Sequence, residues 1–227
     1  MELKHRETLP YGLENNPFIP AFVKCLKTLH ENLVDKTLKN SLEETLGLFY
    51  LQNMLSCFYI KEELISDLNK IDTNKPSYFV VNLDGKAKDF VLKANSAKKG
   101  ILQMIRIFFE KGKKSKPKDL FKKIALLTEK KGLVEFSEHL EEASVLIEDI
   151  AKYRNLIEHD NDKIIINNIT YDPFVHPQWN LFGEMSSIKE DMEKIILFLI
   201  NIHINIFDFG INYYKGENSE QHPIYEN

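Results

Sequence analysis

The 227 residues, 43% hydrophobic and 28% charged, suit one large domain with an ordinary buried core; they exclude a disordered chain and two independent cores. Two cysteines, Cys25 and Cys57, each within an apolar stretch, exclude a disulfide scaffold, and MELKHRETLPYGLENN lacks the apolar core of a signal peptide, so a reducing cytoplasm is the expected location. The net charge of −4 hides an asymmetry: Lys86 to Lys131 carries 15 Lys or Arg against four acids, an excess of 11 that leaves −15 elsewhere. Such a stretch is either a face that attracts polyanions or a solvated, lysine-rich helix pair.

Helical spacing dominates the chain. After a flexible N-terminus (1–16), Pro20 stands where a first helical residue is tolerated, and Phe22, Leu26, Leu29 and Leu33 mark the buried face of a helix running to about Leu38. Ser41 and Glu44 offer a capping box for a second helix, to about Lys70, whose apolar residues lie all round and make it the expected central helix. Ser77 to Leu83 reads as a short extended piece closed by a turn at Asp84-Gly85. Phe90, Ala94, Ala97, Ile101, Ile105 and Phe108 then form the stripe of another helix, with Lys98 and Lys99 off it. Leu120, Phe121, Ile124 and Leu127 mark a shorter helix that stops at Gly132.

The next helix has the cleanest register. Phe136, Leu140, Ala143, Ile147, Ile150, Arg154 and Ile157 recur at alternating spacings of four and three, which puts an arginine on a core-facing stripe. Asp160 to Asp162 end that helix, and Lys163 to Tyr171 reads as two short β-type runs around Asn167-Asn168, followed by loop at Pro173 and Pro177. Ile188, Met192, Ile195, Leu199, Ile202, Ile206 and Phe209 define a last helix, with a frayed polar tail over 215–227. The expected fold class is all-α: one domain, a bundle of five or six helices with small β-like insertions. The apolar stretches Leu46–Ile60 and Ile195–Ile211 are both interrupted by polar residues, so neither is read as a membrane span.

No Gly-rich phosphate loop, Cys-x-x-Cys pair, His-Glu-x-x-His or Gly-x-Ser-x-Gly elbow occurs, so metal, nucleotide-loop and esterase chemistry find no anchor. What remains is Arg154-Asn155-Leu156-Ile157-Glu158-His159. Only Arg6, Arg106 and Arg154 are arginines in a chain that otherwise uses lysine, and a planar, two-pronged guanidinium is not replaceable by an ammonium. Five residues apart on a straight helix, Arg154 and His159 point about 140° apart; a histidine in the last turn can swing back.

This hexapeptide, late in a long amphipathic helix, resembles the Arg-x4-6-His motif of the HEPN superfamily, all-α bundles named for nucleotide binding in higher eukaryotes and prokaryotes. The resemblance implies a metal-independent endoribonuclease, without cofactor, in which His159 takes the proton of a 2′-hydroxyl, Arg154 stabilises charge on the phosphorane and Asn155 orients the phosphate or the histidine. It also implies a homodimer with the two motifs facing one another. Lys98, Lys99, Lys113, Lys114 and Lys116 are the candidate RNA contacts, and a toxin held by an antitoxin is a narrower version of the same reading. The alternative is a non-catalytic RNA-binding or protein-interaction module in which Arg154 pairs with Glu158 one turn on. Of the other candidates, His203 reads as a core histidine rather than a ligand, and Trp179 either anchors its loop or stacks a base.

Overall fold

Asp35 decides where the second helix begins. In the computed structural model, which describes residues 18–72, 79–110, 116–159, 165–171 and 174–220, α1 (Phe18–Asn32) stops six residues short of Leu38. Asp35 then adopts an extended backbone, and its carboxylate accepts the N–H groups of Thr37 and Leu38 at 2.8 and 3.1 Å, opening α2 (Lys36–Leu46). The capping box expected at Ser41 and Glu44 therefore lies inside the helix, where the Ser41 carbonyl accepts the hydroxyl of Thr45. An aspartate in extended backbone satisfies two orphan donors at once, and this wins over the later serine.

α2 continues without a break through a π-helical segment, Gly47–Met54, into α3 (Leu55–Asn69). At its end the Leu55 N–H reaches back five residues to the Tyr50 carbonyl. The widened turn keeps Phe49, Tyr50 and Met54 buried between Leu46 upstream and Cys57 downstream. After Ile71 and Asp72 the next described residues are Phe79 and Val80, so most of the expected extended piece lies outside the described residues. The turn falls at Val81-Asn82, not Asp84-Gly85: Asn82 takes the left-handed conformation (φ 53°), which its short polar side chain tolerates, and Asp84 sits in the first turn of α4 (Leu83–Phe109), where the helix dipole favours an acid.

α4 is the central element, a correction to the expectation that the rod before it would be. It packs against α2, the π segment, α3, α5, α6 and α7, and it buries far more of its circumference than one stripe. α5 (Pro117–Lys130) ends at Gly132 as expected; Gly132 has φ +77°, and the Leu133 N–H closes on the Thr128 carbonyl at 2.9 Å. The chain doubles back into α6 (Val134–His159), and Ser137 Oγ fastens the hairpin by donating to the Ala125 carbonyl at 3.0 Å.

Two small antiparallel pieces follow α6. β1 (Ile166–Asn167), β4 (Gln178–Trp179) and β5 (Ser186–Ser187) form one sheet with β4 in the middle, and β2 (Thr170–Tyr171) pairs with β3 (Phe174–Val175). The Asn168 side chain behaves as a one-residue strand: its Oδ1 accepts from Val80 N–H at 2.9 Å and its amide donates to Val80 C=O at 3.0 Å, tying this layer to the start of α4. α7 (Ile188–Glu220) then packs on α1, α3 and α4, and runs past the point where a frayed tail was expected to begin. By length and composition α7 is apolar enough to cross a membrane, which its polar interruptions seemed to preclude; 61% of that apolar window is buried inside the bundle. Among the described residues the structure is an all-α bundle, 80% helical, with six helices when the continuous rod of α2, the π segment and α3 is taken as one, carrying a small sheet insertion.

Candidate functional site

The α6 register carries Leu140, Ala143, Ile147 and Ile150 into the core, and one turn later the same stripe brings up Arg154 where the helix leaves the interior. Its side chain is 33% exposed. Nη1 donates to Asn155 Oδ1 at 3.0 Å, and Nη2 meets Glu158 Oε2 at 2.5 Å. That same carboxylate oxygen lies 4.0 Å from Nε2 of His159, the last residue of α6, whose side chain is 74% exposed. Arginine and histidine side chains that a straight helix aims apart are thus linked through one acid between them. The residues expected to end this helix, Asp160 to Asp162, lie outside the described residues.

Facing this end of α6 is a residue whose sequence reading needs correction. Lys98 was expected off the apolar stripe of α4; it is only 8% exposed. The reason is the position of α4: a helix packed on several sides has a buried arc too wide for one stripe to describe, and Lys98 falls in the arc next to α6. Burial, then the neighbouring Lys99 and then Arg154, hold its ammonium below the usual lysine range. Among the described residues it has neither an ion pair nor a hydrogen bond. Lys99 and Lys116 are exposed, Lys116 directly ahead of Pro117 at the start of α5; Lys113 and Lys114 lie outside the described residues. Other parts of the basic stretch are partly neutralised, since Lys86 pairs with Asp67, Lys88 with Asp84 and Arg106 with Glu110.

Two residues that sequence reasoning passed over fix this end of the helix. Tyr153 Oη donates to the Asn180 carbonyl at 2.6 Å and accepts the Gly183 N–H at 3.1 Å, so the residue beside Arg154 is bolted to the loop after β4. Asn180 also receives the Ile165 N–H on its side chain at 3.0 Å and donates its own N–H to the Ile165 carbonyl at 3.2 Å. One asparagine therefore holds the chain on both sides of 160–164. Both contacts join residues distant in sequence, and no local pattern announces them.

The remaining candidates resolve as structural. Trp179 is buried, and its indole N–H donates to the buried Asp191 at 2.8 Å; Asp191 also accepts from Ser186 Oγ, so this tryptophan anchors its loop and stacks no base. His203 is fully enclosed, stacked on Phe49 with ring centres 4.1 Å apart and bonded through Nδ1 to Tyr50 Oη at 3.1 Å. Among the described residues its Nε2 has no partner, and burial pushes the imidazole down to about 3, so it is neutral in the fold. A separate cleft of about 390 Å³ opens at the other end of α6, lined by Leu133, Phe136, His139, Asn205, Asp208 and Phe209; none of the motif residues lines it. Among the described residues no group of three or more His, Cys, Asp or Glu is arranged to hold a metal ion. Compared with known proteins, the chain matches no family model, no curated protein and no solved structure.

Proposed function

We propose that the chain is a HEPN-like, metal-independent endoribonuclease that works as a homodimer, with Arg154, Asn155 and His159 at the scissile phosphate. The observation that carries the reading is the grouping at the end of α6, where Arg154 holds Asn155 and Glu158 and His159 Nε2 lies 4.0 Å from the same Glu158 oxygen, with Lys98 of α4 near enough for Arg154 to hold its ammonium down. Two crowded cations favour a polyanion over a neutral ligand. In the reaction, His159 Nε2 takes the 2′-hydroxyl proton and the 2′-oxygen attacks phosphorus. Arg154 neutralises the equatorial oxygens. The 5′-oxygen departs with a proton from the imidazolium of the second copy, leaving a 2′,3′-cyclic phosphate and a 5′-hydroxyl. A toxin or defence role, with an antitoxin as partner and the cytoplasm as location, would follow from such an activity.

A ribonuclease assay in EDTA tests this. The expected result is cleavage with cyclic-phosphate ends that His159→Ala abolishes; cleavage that needs a metal or survives the substitution overturns it. A specific contact favours the second reading, a non-catalytic interaction module: the Arg154 guanidinium is already engaged by Glu158 and Asn155 within its own helix. On that reading Arg154→Ala lowers the melting temperature by several degrees and any loss of RNA binding tracks unfolding; a stable, folded, inactive variant favours the nuclease.

A further inference from the structure

We infer that the cleft of about 390 Å³ at the N-terminal end of α6 binds a small organic ammonium ion, held by its charge and its apolar body together. The cleft lies between α6 and α7, two helices that both lean on α4. On α7, Asn205, Asp208, Phe209 and Asn212 fall at i, i+3, i+4 and i+7, a single stripe of that helix. Glu135, Phe136 and His139 face them from the first turns of α6. A space of this size is at the small end of ligand clefts, about 300–1,000 Å³, and suits a compact molecule.

The lining selects the chemistry. Its apolar wall is aromatic: Phe136 and Phe209 meet edge to face at 5.8 Å, and Phe209 continues into Phe109 and Tyr213. Its polar wall is rich in acceptors, with the carboxylates of Glu135 and Asp208 and the amide oxygens of Asn205 and Asn212, and no lysine or arginine is among the described lining residues. Among the described residues Glu135, His139, Asn205 and Asn212 have no side-chain hydrogen bond or ion pair, so their polar atoms are available to a ligand. Two amino groups of the chain itself settle on these same walls. Lys24 of α1 brings its ammonium to Asp208 Oδ2 at 3.5 Å, and Lys131 sets its ammonium over the Tyr213 ring at 5.9 Å. The Lys24 and Asp208 side chains are 62% and 42% exposed, so a ligand can displace that contact. A ligand with its ammonium on the carboxylates and its body over Phe136 and Phe209 gains both kinds of contact. A neutral molecule gains only the second, and a bare polycation only the first.

The test is a titration of the full chain, followed by proton–nitrogen correlation NMR, with three probes: phenethylamine, its neutral counterpart 2-phenylethanol, and spermidine. Phenethylamine is expected to bind with a Kd on the order of 1 mM or tighter, to shift the side-chain amide signals of Asn205 and Asn212, and to bind about tenfold more tightly than the alcohol. Asp208→Asn should weaken phenethylamine about tenfold and leave 2-phenylethanol unchanged. Lys24→Met, which removes the competing ammonium, should tighten phenethylamine at least about twofold. Should Asp208→Asn not fold, Glu135→Gln at the exposed rim takes its place. Three results overturn the inference: alcohol and amine binding equally, spermidine binding as tightly as phenethylamine, or no shift at Asn205 and Asn212 with any probe. None of the motif residues lines the cleft, so the outcome is independent of the ribonuclease assay.

Discussion

Acid should weaken this fold through His203 well before most carboxylates protonate. The imidazole is fully buried against Phe49 and Tyr50, with Nε2 unpartnered among the described residues, and its folded value is pushed down to about 3 from an ordinary 6.5. The unfolded chain therefore binds a proton near pH 6.5 that the folded chain refuses until about pH 3. Stability is fully present above pH 6.5 and falls as pH drops toward 3, with a limiting slope of about 1.4 kcal/mol per pH unit. Between pH 8 and pH 5 the loss from this one residue comes to about 2 kcal/mol, or about 4–8 °C in melting temperature for a chain of this size. Urea unfolding of wild type and His203→Asn at the two pH values isolates the effect. Asparagine can keep a partner for Tyr50 but does not titrate; its packing cost appears at both pH values and cancels in the difference. If the two proteins lose the same stability to within about 0.5 kcal/mol, the imidazole is not held neutral in the fold, and the burial reasoning is wrong.

Asp191→Ala removes the acceptor of two hydrogen bonds and leaves the indole N–H of the single tryptophan unpaired; a loss of about 3 kcal/mol, some 6–12 °C, is expected, with a red shift in Trp179 emission. A melting point within about 2 °C of wild type would show that water or another group satisfies the site. Gly210 faces the ring of Phe108 so closely that an added methyl group overlaps it, so Gly210→Ala should cost about 1–3 kcal/mol. Phe108→Leu in the same chain should recover part of that cost, and a purely additive double mutant in chemical denaturation would count against the contact.

The helices from Phe90 to Phe108, Phe136 to Ile157 and Ile188 to Phe209 were legible because their apolar residues contrast with polar ones at helical spacing. The π segment was not: in GLFYLQNM most side chains are apolar, so a change of five-residue for four-residue bonding leaves no mark on the pattern. Lys98 escaped for the opposite reason, since one stripe is too narrow a description of a helix packed on several sides. The Arg154 to His159 spacing was readable as a motif, and Glu158 as a helical neighbour of the arginine, yet the carboxylate's place between both side chains needed coordinates. Tyr153 and Asn180 were out of reach altogether, because their contact joins residues 27 apart through a loop whose path no local rule dictates.

The position of α7 bears on how the protein is made. The apolar faces of α1, α3 and α4 are covered by a helix that begins only at Ile188. At about 5–20 residues per second, a ribosome spends about 4–16 s between the end of α4 at Phe109 and the start of α7 at Ile188. During that interval side chains such as Phe49, Phe108 and Tyr50, all buried in the finished bundle, lack part of their wall. The α5–α6 hairpin, closed through Gly132 and the Ser137 hydroxyl, can form locally as it emerges. The main core cannot close until α7 has been made, so apolar surface stays open for that interval.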